Sequence, residues 1–190
     1  MIASAFSKAI SRDRYRFLLS KLYFADPEKP ADASKTYYVD ELISCLKITF
    51  LKCFSESNRQ SIDESMTKFK GRSALKQYLP MKPIKRGIKI WQRCDALTGY
   101  TYDFEIYSGK DATGSTALSL GEKVVVSLCG SMKNKQAAMC FDRFFSSVKI
   151  FVGLGIPAVG TYMNNRKYTP DLNESLQRGE SEFKFSDKGV

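Results

Sequence analysis

Hydrophobic residues in the N-terminal third of the chain recur every three or four positions. This spacing covers residues 1–25 and again residues 38–54, which predicts two amphipathic helices. Ser11 has the chemistry of a helix N-cap, so a helix start is expected there. Segment 26–34 contains two prolines and several polar residues, and it is expected to be a linker between the helices.

From residue 61 onward the period of the pattern changes from helical spacing to two. Alternating apolar and polar positions predict a strand over 61–69. A second alternation over 87–94 and an aromatic, β-prone stretch over 100–107 flank the turn sequence DALTG. These two stretches predict a hairpin, so the central part of the chain is expected to form three antiparallel strands.

The last part of the pattern alternates between helical and strand-like segments. It predicts a helix over 118–132, a buried strand over 136–144, a helix over 146–154 and a short strand over 158–163. Helices, then three antiparallel strands, then alternating helix and strand indicate an α/β fold with a mixed sheet and helices on its faces.

The net charge of the chain limits the classes of molecule that it is expected to bind. Among 190 residues, 30 Lys and Arg outweigh 20 Asp and Glu, giving a formal net charge of +10. An excess of this size favours DNA, RNA or an anionic membrane surface, although a basic surface that only keeps the protein soluble is the alternative. The chain has no histidine, which excludes Ser-His-Asp and Cys-His nucleophiles and His-containing zinc sites.

Five cysteines occur without a CxxC spacing, which predicts reduced thiols in a nuclear or cytosolic compartment. They are Cys45, Cys53, Cys94, Cys129 and Cys140. The longest apolar stretch, 148–160, is interrupted by Lys149 and Pro157 and is too short to span a bilayer. We therefore expect no membrane-spanning segment.

A basic run follows the first predicted strand. Between Met66 and residue 93 there is no acidic residue, and Tyr78 and Trp91 are interleaved with the cations. Such a density of cations suits contact with backbone phosphates, and the alternative is a solvated hairpin face. The candidate DNA-binding residues are Lys68, Lys70, Arg72, Lys76, Lys82, Lys85, Arg86, Lys89 and Arg93.

Two aspartates are candidate metal ligands. Asp63 lies in the first predicted strand, and Asp142 lies in the predicted buried strand between aromatic residues. A buried carboxylate is costly unless it is paired or bound to a metal, and oxygen ligands from two neighbouring strands suit Mg²⁺ or Mn²⁺. The pattern alone leaves open that each is a salt-bridged or strand-end aspartate.

These residues lie in segments that resemble the piggyBac-type transposases, and the resemblance covers nearly the whole chain in the family's order. The segments are 11–26 (SRDRYRFLLSKLYFAD), 61–72 (SIDESMTKFKGR), 77–90 (QYLPMKPIKRGIKI), 94–109 (CDALTGYTYDFEIYSG), 140–147 (CFDRFFSS) and 160–166 (GTYMNNR).

The resemblance implies a function for the two aspartates. It implies an RNase H-like fold with a DDD/DDE metal site, in which Asp63 matches the first catalytic acid and Asp142 the second. It also implies Mg²⁺ or Mn²⁺ as cofactor, no small-molecule cofactor, DNA as partner, a nuclear location and a homodimer as in full-length family members.

The resemblance further implies a division of the chain. Residues 1–57 are expected to be a helical region, 58–170 a partial RNase H-like domain, and 171–190 the loose start of an insertion region. In the family the third acid lies beyond the segment matched by GTYMNNR, and no acid in the tail matches it. We therefore expect a transposase fragment that is catalytically incomplete by itself and at most binds DNA.

Three alternatives remain open from the sequence. The first is an active strand-transfer nuclease, which would need the site to be completed. The second is a non-functional transposon remnant or partial gene model. The third is a basic nucleic-acid-binding module without catalysis, including a generic RNA-binding protein.

Overall fold

A computed structural model of the chain describes residues 9–109, 118–171 and 175–185. The chain divides into two compact units, Met1–Leu46 and Lys47–Val190. This division falls between residues 46 and 47 and does not test the domain boundaries that the resemblance implies. Those boundaries therefore stay predictions.

Two α-helices of the N-terminal part lie wholly within the described residues. Helix α1 (Arg12–Ser20) begins after Ser11, whose side chain accepts a hydrogen bond from the backbone N–H three residues on, so the predicted cap is confirmed. The helix is shorter than the predicted 1–25, whose first eight residues lie outside the described residues, and it buries none of its side chains. A 3₁₀ turn (Tyr37–Val39) leads into helix α2 (Asp40–Cys53), which confirms the second predicted helix.

The sheet is mixed, as the sequence predicted. Its strands among the described residues are β1 (Arg59–Lys68), β2 (Lys76–Tyr78), β3 (Arg86–Asp95), β4 (Thr101–Ile106), β5 (Ala138–Phe141) and β6 (Ala158–Gly160). Their order is β2-β3-β1-β5-β6, with β4 also paired to β3. The β1–β3, β2–β3 and β3–β4 pairs are antiparallel, whereas β1–β5 and β5–β6 are parallel. The short strand β2 was not predicted.

Two helices of the larger unit carry their own start signals. Ser119 caps α3 (Leu120–Gly130) in a capping box with Glu122, and Ser147 caps α4 (Val148–Gly153). A capping box satisfies two backbone donors at a helix start that would otherwise lack partners. Within the described part of the chain, every helix is too short or too polar to cross a bilayer.

One cluster of buried apolar side chains lies on one face of the sheet. Ile62 of β1, Trp91 of β3, and Met139 and Phe141 of β5 are buried together with apolar side chains of α3 and α4. Because successive strand side chains point to opposite faces, Asp63 and the residues in step with it lie on the face away from this cluster.

Candidate metal site and basic surface

The two candidate metal ligands each follow a residue of one pair in the β1–β5 ladder. In the parallel pair β1–β5, Ile62 is opposite Phe141. Asp63 and Asp142 are the next residues after these two, and Asp142 lies just beyond the end of β5. The register of the two strands therefore brings both acid-bearing positions to the point where the β1–β5 pairing ends.

Each carboxylate is oriented by a backbone N–H. The Glu64 N–H donates to Oδ1 of Asp63 at 2.7 Å, and the Phe144 N–H donates to Oδ1 of Asp142 at 2.8 Å. The expectation that Asp142 lies inside a buried strand is wrong. Strand β5 ends at Phe141, and Asp142 opens a turn in which it is exposed, as Asp63 also is. The case for a metal therefore comes from the adjacency of the two acids and not from their burial.

The turn that begins at Asp142 is held from two sides. Ser146 donates twice to the Asp142 carbonyl, from its N–H at 3.2 Å and from its hydroxyl at 3.0 Å. Arg166, from the GTYMNNR segment, donates through Nη2 to the carbonyls of Arg143 and Phe144 at 3.0 Å each. No role was predicted for Arg166, and its contacts hold the backbone just after Asp142.

Two glycines let neighbouring elements approach the same turn closely. A Cβ on Gly121, at the start of α3, would lie 2.4 Å from the Phe144 carbonyl oxygen. A Cβ on Gly160, at the end of β6, would lie 2.5 Å from both the Phe141 carbonyl oxygen and Oγ of Ser146. Both contacts are too short for any other residue type without a shift of backbone, so these glycines set the position of the acid-bearing turn.

A lysine and a third carboxylate adjoin the pair. Lys82 Nζ lies 2.9 Å from Oε1 of Glu64, the residue after Asp63. Partial burial opposes ionisation of Glu64, but the Lys82 ammonium outweighs it and lowers the pKa of Glu64. Although Asp63 is accessible to solvent, surrounding protein atoms desolvate it in part and raise its pKa, and the charge of Glu64 adds to this.

The oxygen ligands of the site suit a hard cation, but these side chains alone do not surround it. Mg²⁺ and Mn²⁺ prefer oxygen ligands, and Asp63 and Asp142 present carboxylates from neighbouring strands. Over the described residues, no group of three His, Cys, Asp or Glu side chains is arranged to hold a metal, and Glu64 is engaged with Lys82. The residues present fit a metal held by two carboxylates together with water or substrate oxygens.

Much of the predicted basic run forms a surface at one end of the sheet, which we call the basic end. It consists of Lys68, Lys70, Arg72, Lys85 and Arg86, all exposed. Lys68 is opposite Gly87 in the β1–β3 ladder, so the end of β1 meets the start of β3 there. The Arg86 guanidinium also lies over the Tyr78 ring, 5.0 Å from its centroid.

Three other lysines of the run are partly buried and have partners. Lys76 Nζ donates to the Gly71 carbonyl at 3.2 Å, and Lys82 pairs with Glu64. Lys89 lies over three aromatic rings, those of Trp91, Tyr107 and Phe144, at 5.2–5.9 Å from their centroids. Their role in DNA contact stays a prediction.

The assignment of Arg93 to the DNA-binding set is wrong, because its side chain has no exposed surface. Its Nη1 lies 3.0 Å from Oε1 of Glu56 and also donates to the Gln60 side chain, and its Nη2 donates to Ser131 at 3.1 Å. Arg93 lies two residues after the buried Trp91, so both side chains point to the same face of β3. This spacing could have predicted that Arg93 is buried, whereas counting the cations of the run could not.

All five cysteines lie in the described part of the chain, and none of them forms a disulfide there. Cys129 is buried in the core, and this burial raises the pKa of its thiol to about 11. It is therefore a core residue and not a candidate nucleophile.

Comparison with known proteins places this arrangement in context. A family model described as Transposase IS4 matches residues 3–189. Human PiggyBac transposable element-derived protein 3 is 27% identical over 195 residues, covering 96% of this chain. Human PiggyBac transposable element-derived protein 2 is 30% identical over 192 residues, covering 94% of this chain.

A solved structure has the same fold. It is the cryo-EM structure of the piggyBac transposase synaptic complex with hairpin DNA, which matches 93% of this chain with a TM-score of 0.80 and 26% identity. The chain spans 33% and 32% of the lengths of the two human relatives and 39% of the chain in the solved structure. It therefore corresponds to about a third of the proteins that it resembles.

Proposed function

Because the chain belongs to the Transposase IS4 family and is of its piggyBac type, we propose that it supplies two metal-binding carboxylates and a DNA-binding surface to a transposition site. Transposases of the DDE type generally use divalent metals. Asp63 and Asp142 are the proposed ligands of Mg²⁺ or Mn²⁺, and DNA is the proposed partner.

One observation carries the proposal: in the parallel β1–β5 pair Ile62 is opposite Phe141, and Asp63 and Asp142 directly follow these two residues. When bound, a divalent cation would activate an attacking oxygen and stabilise the leaving oxygen of a phosphodiester. The protein's own part is to hold two carboxylates at a fixed separation, each already oriented by a backbone N–H. The contacts of Ser146 and Arg166 hold the backbone of the turn that begins at Asp142.

The basic end is the proposed DNA-binding surface. Lys68 lies five residues beyond Asp63 on β1, which corresponds to about 16 Å along the strand. A duplex lying along β1 would therefore place phosphates on the exposed cations while its scissile strand reaches the two acids. These contacts would give binding with little base preference, since phosphates carry no sequence information directly.

Family membership also leads us to propose the finer features of the resemblance. These are an RNase H-like arrangement of the sheet, a nuclear location and assembly of two copies of the full-length protein.

The metal proposal is tested by Mn²⁺ binding, followed through the electron paramagnetic resonance signal of free Mn²⁺. We expect Asp63→Asn and Asp142→Asn each to weaken binding by at least tenfold. Asp32→Asn is the matched control, because Asp32 is exposed and lies in the segment between the N-terminal helices. Equal Mn²⁺ binding by all four proteins would refute the metal site.

The DNA proposal is tested by duplex binding at several salt concentrations. Reversing two charges of the basic end, Lys70→Glu with Arg86→Glu, should weaken binding and make the slope of log K against log[salt] shallower by about 2. The control reverses two exposed lysines outside the run, Lys52 and Lys133. If both pairs of substitutions had the same effect, only net charge would matter and the proposed surface would be wrong.

A separate assay distinguishes binding from cleavage. Mg²⁺- or Mn²⁺-dependent cutting of a transposon-end duplex by the parent chain, lost in Asp63→Asn, would identify an active nuclease. Binding without cutting would agree with the expectation of a catalytically incomplete fragment.

A further inference from the structure

The loop between β2 and β3 brings a cation to the acidic pair. The Leu79 N–H donates to the Lys85 carbonyl at 2.8 Å, and the Lys82 N–H donates to the Leu79 carbonyl at 3.2 Å. These bonds close a compact turn, and Lys82 extends from it to Glu64 in the middle of β1. Lys82 therefore belongs to the acidic site, although it lies within the basic run in sequence.

The charge of Lys82 lies against the Glu64 carboxylate, and Glu64 directly follows Asp63 in β1. Its hydrogen bond with Glu64, and then the charges of Glu64, Asp63 and Asp142, raise the pKa of Lys82. The side chain is also about a third exposed, so its ammonium has room to leave. A lysine suits such a role because its charge sits on a flexible stem and needs no fixed hydrogen-bond geometry.

We propose that Lys82 is a tethered counter-cation of the Asp63–Glu64–Asp142 group, which neutralises it in the metal-free protein and is displaced when a divalent cation binds. The inference rests on the proposed metal site and adds a residue that sets its affinity. A divalent ion carries twice the charge and binds carboxylate oxygens directly, so it replaces the ammonium once its concentration is sufficient.

The first test measures Mn²⁺ affinity by the free-ion resonance signal in the 190-residue chain. Lys82→Gln removes the competing charge and should tighten Mn²⁺ binding by about tenfold, as expected for losing a positive charge several Å from the ion. Lys82→Arg keeps the charge and should bind Mn²⁺ as the parent does. Lys85→Gln, the same change at an exposed position of the same turn, should alter the affinity by less than twofold.

The second test measures thermal unfolding with and without Mn²⁺. Without metal, Lys82→Gln should unfold at a lower temperature than Lys85→Gln, because three neighbouring carboxylates then repel one another. Saturating Mn²⁺ should raise the Tm of Lys82→Gln by more than it raises the Tm of the parent. A loss of packing alone would lower the Tm equally with and without metal, and that result would overturn the inference.

The two proposals fail in different ways. If Asp63→Asn binds Mn²⁺ as tightly as the parent, the proposed metal site is wrong and this inference falls with it. If Asp63→Asn loses binding while Lys82→Gln and Lys85→Gln have the same affinity, the metal site stands and the role of Lys82 alone is refuted.

Discussion

Replacing Arg93 by Met tests whether this cation holds the fold together. The substitution keeps an unbranched apolar stem and removes the guanidinium, which lies between Glu56, Gln60 and Ser131. Because the Glu56 side chain is only 6% exposed, its carboxylate would be left buried beside an apolar residue.

The expected cost follows from the contacts on each side. Breaking a buried ion pair by removing one partner costs about 3–5 kcal/mol. Two features favour the lower end of that range. Glu56 keeps two backbone donors, the N–H groups of Lys133 and Asn134, both at 2.8 Å. In addition, no described residue accepts a hydrogen bond from Nε of Arg93, so the parent already carries part of the penalty.

Urea unfolding followed by circular dichroism measures the change. A loss of about 3 kcal/mol would lower the midpoint by about 1.5 M urea if the slope is about 2 kcal/mol per M. Arg86→Met is the control, because it makes the same change at an exposed position of the same strand and should shift the midpoint only slightly.

The difference should depend on pH in a defined direction. Burial opposes ionisation of Glu56, but hydrogen bonds from Asn134, Lys133 and Arg93 and the charge of Arg93 outweigh it and lower the pKa of Glu56. A pKa lowered by folding stabilises the parent above the unfolded value of about 4.3, and this stabilisation is lost as the pH falls through the folded value. The gap between parent and Arg93→Met should therefore narrow below pH 4. Equal urea midpoints for Arg93→Met and Arg86→Met at pH 7 would refute the reasoning.

Three further predictions concern the turn after Asp142 and the core. Gly160→Ala should cost about 1–3 kcal/mol in urea unfolding, because its Cβ overlaps the turn, and it should weaken Mn²⁺ binding by displacing Asp142. Glu122→Gln should lower stability at pH 7 by about 1–2 kcal/mol, since Glu122 accepts hydrogen bonds from Ser147 and the Ser119 N–H. Burial opposes its ionisation, but these bonds lower the pKa of Glu122, so its contribution should disappear as the pH falls through that value. A stability difference between the parent and Glu122→Gln that stayed the same from pH 7 into acid would contradict this. Burial raises the pKa of Cys129 to about 11, so Cys129 should react with a thiol reagent only when the protein unfolds. Cys45 and Cys140 are exposed and should react in the folded state. Rapid labelling of Cys129 in native buffer would contradict its burial.

The sequence predicted the strands and helices wherever the hydrophobic period was long and uniform. The ten-residue strand β1 and the hairpin β3–β4 follow from alternation, and α2 follows from helical spacing. Strand β2 was missed because three residues are too few to show a period, and it exists because β3 offers it an edge.

Only part of the candidate site could be predicted from the sequence. Motif similarity pointed to Asp63 and Asp142, but the contact of Lys82 with Glu64 could not be predicted, because Lys82 stands in a run of cations. Arg93 was misjudged for the same reason, since a count of charges carries no information about which face of a strand each charge occupies.

By itself, the sequence determined local features. These are the hydrophobic periods of the helices and strands, the helix cap at Ser11 and the turn residues, all of which depend on residues a few positions apart. The tertiary structure alone decided which distant residues meet. It paired Ile62 with Phe141, the residues before Asp63 and Asp142, although 79 positions separate the two acids. It also placed Lys82 against Glu64 and buried the side chain of Arg93. The physical reason is that strand pairing and loop closure join parts of the chain whose separation leaves no periodic trace in the sequence.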